Sequence, residues 1–316
     1  MTINRRTLLG GMTGAAMLAP YLALERAMAQ AHDAHQAHGA DQTHGADQAH
    51  GGHQASAHSG HHAGMDHSAA SQETMARHDQ LMVDLLGDNM VGQEQIAMLL
   101  YPGFTALDLV GPHYFFACMM GATVHLVTSE DTLTPVASDL GLAIQPTVTM
   151  ADTPKNLDVL FFPGGTMGTM NVMRSEASMA WVKDRASRAR YITSVCTGSL
   201  ILAKAGLLKG KRATSHWATV AALEDFGAVP VADERVVSDG NIITGAGVSA
   251  GIDFALSMVA MMRGQTYAQG LMLQSEYAPQ PPFEGGTLAT SSDDMSEMMQ
   301  MMFAPVVEEI RSLASV

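Results

Sequence analysis

The chain has 316 residues, of which 47% are hydrophobic and 15% are charged, and its formal net charge is −14. This apolar content is enough to bury a large core, so the chain is not disordered as a whole. The excess of acidic residues argues against a nucleic-acid-binding protein, which needs a clustered basic surface. Two cysteines exclude a disulfide scaffold and an all-cysteine zinc site.

The first thirty residues have the features of an export signal. Arg5 and Arg6 precede a weakly apolar run over 8–24, and residues 27–29 read AMA, the A-x-A pattern of a cleavage site. A transmembrane anchor is the alternative, but glycines and Pro20 interrupt the run, which is shorter than the roughly 20 apolar residues of a membrane span. We therefore expect residues 1–30 to resemble a twin-arginine (Tat) signal peptide, recognised by the Tat export machinery. The mature protein would then be periplasmic, without a stable membrane anchor.

A histidine-rich segment follows over 31–93, in which HGADQ occurs twice between His38 and Gln48. Because few branched aliphatic or aromatic residues precede Leu81, we expect a disordered linker in the metal-free protein. Neutral imidazole is a ligand for Zn²⁺, Cu²⁺ and Ni²⁺, so weak, multi-site metal binding is one interpretation, and a soluble spacer is the other. The candidate ligands are His32, His35, His38, His44, His50, His53, His58, His61, His62 and His67.

Residues 94–280 alternate short apolar runs with helical patterns, which predicts βαβ units around a mostly parallel sheet. The predicted strands are 96–101, 123–128, 159–162, 191–195, 229–231 and 242–244. The predicted helices are 107–120, 177–189, 197–205, 218–226 and 250–262. We expect one α/β domain over this range.

The C-terminal tail, 281–316, contains an amphipathic stretch over 293–313 that we expect to be helical, with a break or kink at Pro305. Its first part reads MSEMMQMM. Thioether sulfur suits Cu(I), but methionine more often fills irregular gaps in cores and interfaces, and we favour that interpretation.

One cysteine lies where a nucleophile is expected. The apolar run RYITSV leads directly into Cys196, and a helical pattern begins at Thr197 and Gly198. A cysteine at such a strand-to-helix turn lies at the carboxyl edge of the sheet and at a helix N-terminus, which favours a thiolate. A buried structural cysteine is the alternative.

Three other segments contribute candidate site residues. The loop FFPGGTMG carries Gly164, Gly165 and Thr166, whose backbone N–H groups are suited to an oxyanion hole or substrate loop. Asp108 lies in an otherwise apolar helix start, where a carboxylate must be paired or protonated. His216, within RATSHW, is a supporting candidate.

The ordered motifs LDLVGP, PGG, SVCTGSLILAKAGLLKGKRATSHWA and GVSAGIDFAL together resemble the ThiJ/PfpI superfamily over about residues 94–275. Within it, the chain is most similar to the branch that contains isonitrile hydratase and the amidotransferase-like domains of AraC-type regulators. The resemblance implies an α/β, flavodoxin-like sandwich with a mostly parallel sheet, a cysteine nucleophile elbow and a disordered N-terminal extension. It also implies a homodimer.

The same resemblance implies a catalytic set of Asp108, Cys196 and Thr197. Peptidase-like members have histidine directly after the cysteine, so Thr197 argues against a protease. The implied reaction converts an isocyanide and water to an N-substituted formamide, with a Cys196 thiolate beside a protonated Asp108 and without a required cofactor.

Other functions remain open on the sequence alone. The elbow could catalyse glyoxalase-type chemistry or sense oxidants, and the histidine tract could make the chain a periplasmic metal-binding protein. A transcription regulator is not expected, because only about forty residues follow the matched region and an export signal would keep the protein from DNA. The expected partners are a small-molecule substrate, the Tat machinery and a second copy of the chain, and no nucleic acid is expected.

Overall fold

The computed structural model describes residues 69–315. Its strands are β1 (Gln95–Leu100), β2 (Thr123–Thr128), β3 (Val136–Ala137), β4 (Ala143–Ile144), β5 (Val148–Thr149), β6 (Val159–Phe162), β7 (Tyr191–Val195), β8 (Arg212–Ala213), β9 (Val229–Pro230), β10 (Val236–Asp239) and β11 (Ile242–Gly245). The central element is a sheet of seven of these strands in the order β10-β11-β7-β6-β1-β2-β5, in which only β10 runs antiparallel to its neighbour. The predicted mostly parallel α/β sheet is therefore confirmed.

Helices form two layers around this sheet. The α-helices are α1 (Ala69–Leu86), α2 (Ala106–Ala117), α3 (Thr166–Arg174), α4 (Glu176–Ala186), α5 (Gly198–Lys204), α6 (Ala250–Arg263), α7 (Gln265–Gln274) and α8 (Asp293–Ser312). Helix α6 contacts both α2 and α7, and helices α3, α4 and α5 contact one another. Because β1, β6 and β7 are buried along nearly their whole length, both faces of the sheet are covered.

Two predicted elements differ from the structure. The segment predicted as an α-helix over 218–226 is a 3-10 helix, Val220–Phe226. The strand predicted over 229–231 is the two-residue β9, which pairs with β8 in a separate small sheet rather than joining the main one. The antiparallel edge strand β10 and the helices α3 and α7 were not predicted.

The segment before β1 contains α1, so the prediction of a disordered linker over 31–93 is wrong for its described part. The sequence AASQETMARHDQLMVDLL consists largely of residues with high helix propensity, which favours a helix here. After α1, the carbonyls of Asn89 and Met90 accept hydrogen bonds from Arg263 of α6. The earlier residues of the proposed linker lie outside the described residues.

The C-terminal tail forms α8, which carries the methionine-rich sequence and continues through Pro305 without the break expected there. Ile310 is buried in the same core as the central sheet, so the end of α8 packs against the domain. Within residues 69–315, no helix combines the length and the apolar character needed to span a membrane.

Candidate active site

The cysteine identified in the sequence lies at a sharp turn between β7 and α5. Cys196 has a positive φ of 58°, which is uncommon for a residue with a side chain, and its N–H lies 3.0 Å from each of the carbonyl oxygens of Gly245 and Ala246. Gly198 begins α5, and a Cβ there would lie 2.2 Å from the carbonyl oxygen of Phe162. Glycine is therefore required for α5 to start this close to the end of β6.

The acid identified in the sequence lies beside this turn. Asp108, in the first turn of α2, is fully buried, and its Oδ2 accepts a 2.9 Å hydrogen bond from the N–H of Gly164. Oδ1 is buried and lacks a well-formed hydrogen bond in the described part of the chain, although the Cys196 thiol is close enough to interact with the carboxyl. Burial raises the pKa of Asp108 to about 7, against the opposing effects of the Gly164 N–H and the thiol.

The protonation of the nucleophile depends on two opposing sets of neighbours. Burial raises the pKa of the Cys196 thiol well above its ordinary value, and the Asp108 carboxylate raises it further. The backbone N–H groups of Val248 and Thr197 lower it, but by less. The expected resting thiolate beside a protonated Asp108 stays a prediction.

Thr197 holds the glycine loop in place. Its Oγ1 accepts a 2.9 Å hydrogen bond from the N–H of Gly165 and lies 3.1 Å from Thr169 Oγ1. The Tyr101 hydroxyl lies 3.0 Å from the same Thr169 oxygen and donates to the carbonyl of Pro163 at 2.7 Å. These bonds connect the loops that follow β1, β6 and β7.

The two N–H groups predicted to form an oxyanion hole, those of Gly164 and Gly165, bond to side chains of the site instead. The Gly164 N–H already bonds Asp108, and the Gly165 N–H already bonds Thr197. The third loop residue, Thr166, is partly buried and begins α3. The N–H groups that approach the sulfur belong to Thr197 and Val248, and the sequence reasoning did not identify Val248. Its only signal was the glycine-rich turn GAGVSAG directly after a predicted strand.

His216 contacts the loop that follows β11. It packs against Gly247, where a Cβ would lie 2.7 Å from the imidazole Cδ2. The preceding residue, Ser215, donates from Oγ to the carbonyl of Cys196 at 3.1 Å. Burial lowers the pKa of His216 to about 4, so the ring is neutral at neutral pH and acts by packing rather than by accepting a proton.

Comparison with known proteins identifies the family of this chain. The sequence model of the DJ-1/PfpI family matches residues 94–261. The chain belongs to the DJ-1/PfpI family. It is 46% identical over 211 residues to the isonitrile hydratase of Pseudomonas putida, an alignment covering 67% of this chain and 90% of that protein.

Solved structures show the same relationship for this DJ-1/PfpI family member. The crystal structure of a ThiJ/PfpI family protein from Pseudomonas syringae is 51% identical, has a TM-score of 0.71, and is covered over 95% of its length by 74% of this chain. The crystal structure of Drosophila melanogaster DJ-1beta is 23% identical, has a TM-score of 0.55, and is covered completely by 60% of this chain. The family and the flavodoxin-like fold expected from the motifs are therefore confirmed.

The ten candidate metal ligands between His32 and His67 fall outside the described residues. Among residues 69–315, no group of three histidine, cysteine or acidic side chains is arranged to hold a metal ion. Cys118 and Cys196 are both free thiols, and Cys118 is only partly buried.

Proposed function

We propose that this protein is an isonitrile hydratase, which adds water to an isocyanide and releases an N-substituted formamide. The observation that carries the proposal is the contact of Asp108 and Cys196 around Gly164. A Cβ on Gly164 would lie 2.6 Å from Asp108 Oδ2 and 2.8 Å from Cys196 Cβ. These distances support a pairing of an acid with a raised pKa and a cysteine nucleophile at one sheet edge. The similarity to the Pseudomonas putida isonitrile hydratase supports the same reaction.

The first step forms a bond between sulfur and carbon. Asp108 takes the proton of the Cys196 thiol, and the resulting thiolate attacks the terminal carbon of the isocyanide. The proton held by Asp108 passes to the same carbon, which gives a thioimidate, R–N=CH–S–Cys196. The N–H groups of Val248 and Thr197 stabilise the negative charge of the sulfur before the attack.

The second step releases the product. Asp108, again a carboxylate, takes a proton from a water molecule as the water oxygen attacks the thioimidate carbon, and it passes that proton to the imine nitrogen. The tetrahedral adduct, R–NH–CH(OH)–S–Cys196, then loses the thiol as the C–S bond breaks and the hydroxyl becomes the formamide carbonyl. Asp108 moves the proton from the hydroxyl to the sulfur, so one water molecule is consumed and the enzyme is regenerated.

The burial of Cys196 favours a substrate whose reacting carbon lies at the end of a narrow, linear group. Cys196 is only 5% exposed, and Gly164, Thr197 and Asp108 surround it closely. A linear isocyanide presents its reacting carbon at the tip of a rod, so that carbon can approach a sulfur with little exposed surface. A peptide carbonyl carries substituents on both sides and needs a wider opening, which agrees with the argument from Thr197 against a protease.

The test measures formamide production from cyclohexyl isocyanide by the purified chain. We expect turnover by the wild type and by Cys118→Ala, which removes the other thiol, and none by Cys196→Ala. Equal formamide formation by wild type and Cys196→Ala would contradict the proposal. Parallel incubation with methylglyoxal distinguishes the alternative, because a glyoxalase would produce lactate through the same cysteine while leaving the isocyanide unchanged.

We also propose that the protein is exported, on the basis of the twin arginine and the AMA sequence in residues 1–30. Replacing Arg5 and Arg6 by lysine should retain the full-length precursor inside the cell, whereas the wild type should yield a shortened protein in the periplasm. An unprocessed wild-type chain in the cytoplasm would contradict export.

A second proposed activity is metal binding by the histidine-rich segment, favoured by ten histidines within residues 32–67. Titration of the purified protein with Zn²⁺, Cu²⁺ and Ni²⁺ should show several weak sites that disappear when residues 31–68 are deleted. Unchanged metal binding after this deletion would contradict the assignment.

A further inference from the structure

The C-terminal helix α8 contacts the supporting histidine of the site. The ring centroid of Phe303 lies 5.2 Å from that of His216 and 5.5 Å from that of Trp217. The rings of His216 and Trp217 are themselves 5.4 Å apart, so the three form one cluster. At these separations aromatic rings are in contact, and their relative orientation is fixed by packing. Phe303 lies outside residues 94–261, the range that the family model matches.

Helix α8 is anchored to the domain near its C-terminal end. Ile310 is 1% exposed, Glu309 forms an ion pair with Arg174 at the end of α3, and Arg311 Nε lies 3.2 Å from Asp225 Oδ2. Phe303 lies about two helical turns before these anchors. Its ring is therefore held against the histidine by a fixed helix rather than by a mobile tail.

His216 also contacts the loop after β11. The His216 ring packs against Gly247 so closely that a Cβ there would lie 2.7 Å from Cδ2. Its Nδ1 accepts a 3.3 Å hydrogen bond from the N–H of Ala218, which fixes the ring orientation. With its pKa lowered by burial, the neutral ring contributes shape to this contact rather than charge.

The loop that the histidine supports has a strained residue directed at the nucleophile. Val248 has a φ of 32°, a conformation that a β-branched residue adopts only when its surroundings impose it. Its backbone N–H approaches the sulfur of Cys196 and stabilises the thiolate form. A small relaxation of the loop would turn this N–H away from the sulfur.

We propose that Phe303 is a positioning residue for Cys196: it holds His216 against Gly247 and so keeps the Val248 N–H directed at the sulfur. The inference rests on the proposed function only in that Cys196 is taken as the nucleophile. Phe303 itself does not touch the reacting atoms. Loss of its ring leaves space behind His216, the loop relaxes, and the sulfur becomes harder to ionise. Asp108 also faces the sulfur and is unchanged in every variant of the test.

The test compares three variants in a Cys118→Ala background, which leaves Cys196 as the only thiol. Phe303→Ala removes the ring, Phe303→Leu keeps apolar volume, and Met302→Ala is the control on the same helix, since Met302 is 53% exposed. The readout is the pH dependence of Cys196 alkylation by iodoacetamide, together with kcat and KM for cyclohexyl isocyanide. Near-ultraviolet circular dichroism establishes that each variant is folded.

We expect Phe303→Ala to alkylate about tenfold more slowly at neutral pH, the effect of weakening one hydrogen bond to a charged atom. The midpoint of its alkylation profile should move to higher pH, and kcat should fall more than KM changes. Phe303→Leu should be intermediate, and it provides the test if Phe303→Ala does not fold. Met302→Ala should match the parent.

Folded Phe303 variants with the rate and midpoint of Met302→Ala would overturn the proposal. The alkylation measurement does not depend on the hydratase reaction. A shifted midpoint without any formamide production would therefore support the positioning role and contradict the proposed function. Formamide production with an unshifted midpoint would support the function and contradict the positioning role.

Discussion

The N–H of Gly164 donates a hydrogen bond to Asp108 Oδ2 across 2.9 Å, and the same glycine leaves no space for a side chain. A Cβ there would lie 2.8 Å from both Cys196 Cβ and the backbone nitrogen of Thr197. We therefore expect Gly164→Ala to separate the acid from the nucleophile and to lower kcat by at least about 100-fold, the lower end of a general acid–base contribution.

The matched control for this substitution is Gly270→Ala. Gly270 lies within α7, and a Cβ there would meet nothing within 4 Å. Alanine in place of a helical glycine that has open space around it should stabilise the fold by up to about 1 kcal/mol without changing turnover. A Gly164→Ala enzyme with the kcat of Gly270→Ala would show that the spacing of Asp108 and Cys196 does not limit the reaction.

The raised pKa of Asp108 predicts the pH dependence of the reaction. The reactive pair carries one proton between the thiol and the carboxyl, and with two protons it lacks a base for the first step. Since the pKa of Asp108 is about 7 and that of Cys196 lies well above its ordinary value, kcat/KM should rise with pH through about 7 and then level off. A rise centred near pH 4, where an unperturbed carboxyl titrates, would contradict the assignment.

Asp139 offers a variant that tests the same assignment. Besides burial, its negative charge contributes to the raised pKa of Asp108, and its Oδ2 accepts a 2.6 Å hydrogen bond from Thr105. Asp139→Asn keeps an oxygen for that bond and removes the charge. The rising part of the profile should therefore move to lower pH, whereas movement to higher pH would show that another group titrates.

Thr197 is expected to act through its hydroxyl. Thr197→Val keeps the shape but leaves the buried N–H of Gly165 without its acceptor, which costs about 1–3 kcal/mol of stability. The glycine loop then loses its connection to the turn at Cys196, and kcat should fall. Thr197→Ser should retain most of the stability and most of kcat. Thermal unfolding and formamide production measure the two effects. Equal behaviour of the valine and serine variants would show that the hydroxyl is dispensable.

Much of the fold is visible in the sequence because the central strands are apolar runs bounded by turns. The predicted strands 123–128, 159–162 and 191–195 coincide with β2, β6 and β7. Short or polar strands carry little such signal, which is why β10 was missed. The segment over 220–226 has helical spacing, but it forms the tighter 3-10 helix between two short strands.

The part of the site that depends on local sequence was also predictable. The motif SVCTG predicts a nucleophile at a strand-to-helix turn. The position of Asp108 follows from its place at the start of α2, the helix that follows β1. The partner of each backbone N–H depends on how separate loops meet, so neither the bond from Gly165 to Thr197 nor the approach of Val248 to the sulfur could be deduced.

The ion pair between Arg263 and Glu94 should be a main determinant of stability. Arg263, 3% exposed, donates from Nε and Nη2 to the two carboxylate oxygens at 2.5 and 2.6 Å, and it also donates to the carbonyl of Asn89. Arg263→Met leaves the Glu94 carboxylate without its partner and should lower the free energy of unfolding by about 3–5 kcal/mol. Arg188→Met, which removes an exposed pair with Asp184, should cost less than about 0.5 kcal/mol.

The stability difference between wild type and Arg263→Met should depend on pH. Burial raises the pKa of Glu94, but the hydrogen bonds and charge of Arg263, together with a backbone hydrogen bond at Glu94 and the charge of Arg190, outweigh it, so the net shift is downward. A carboxyl whose pKa is lowered by folding contributes stability above its unfolded pKa, and that contribution is lost as the pH falls through the folded value. Denaturant unfolding should therefore show a large difference between wild type and Arg263→Met at neutral pH that narrows in acid. A difference that stays constant with pH would mean that Arg263 stabilises the fold through its bonds to carbonyls rather than through the carboxylate.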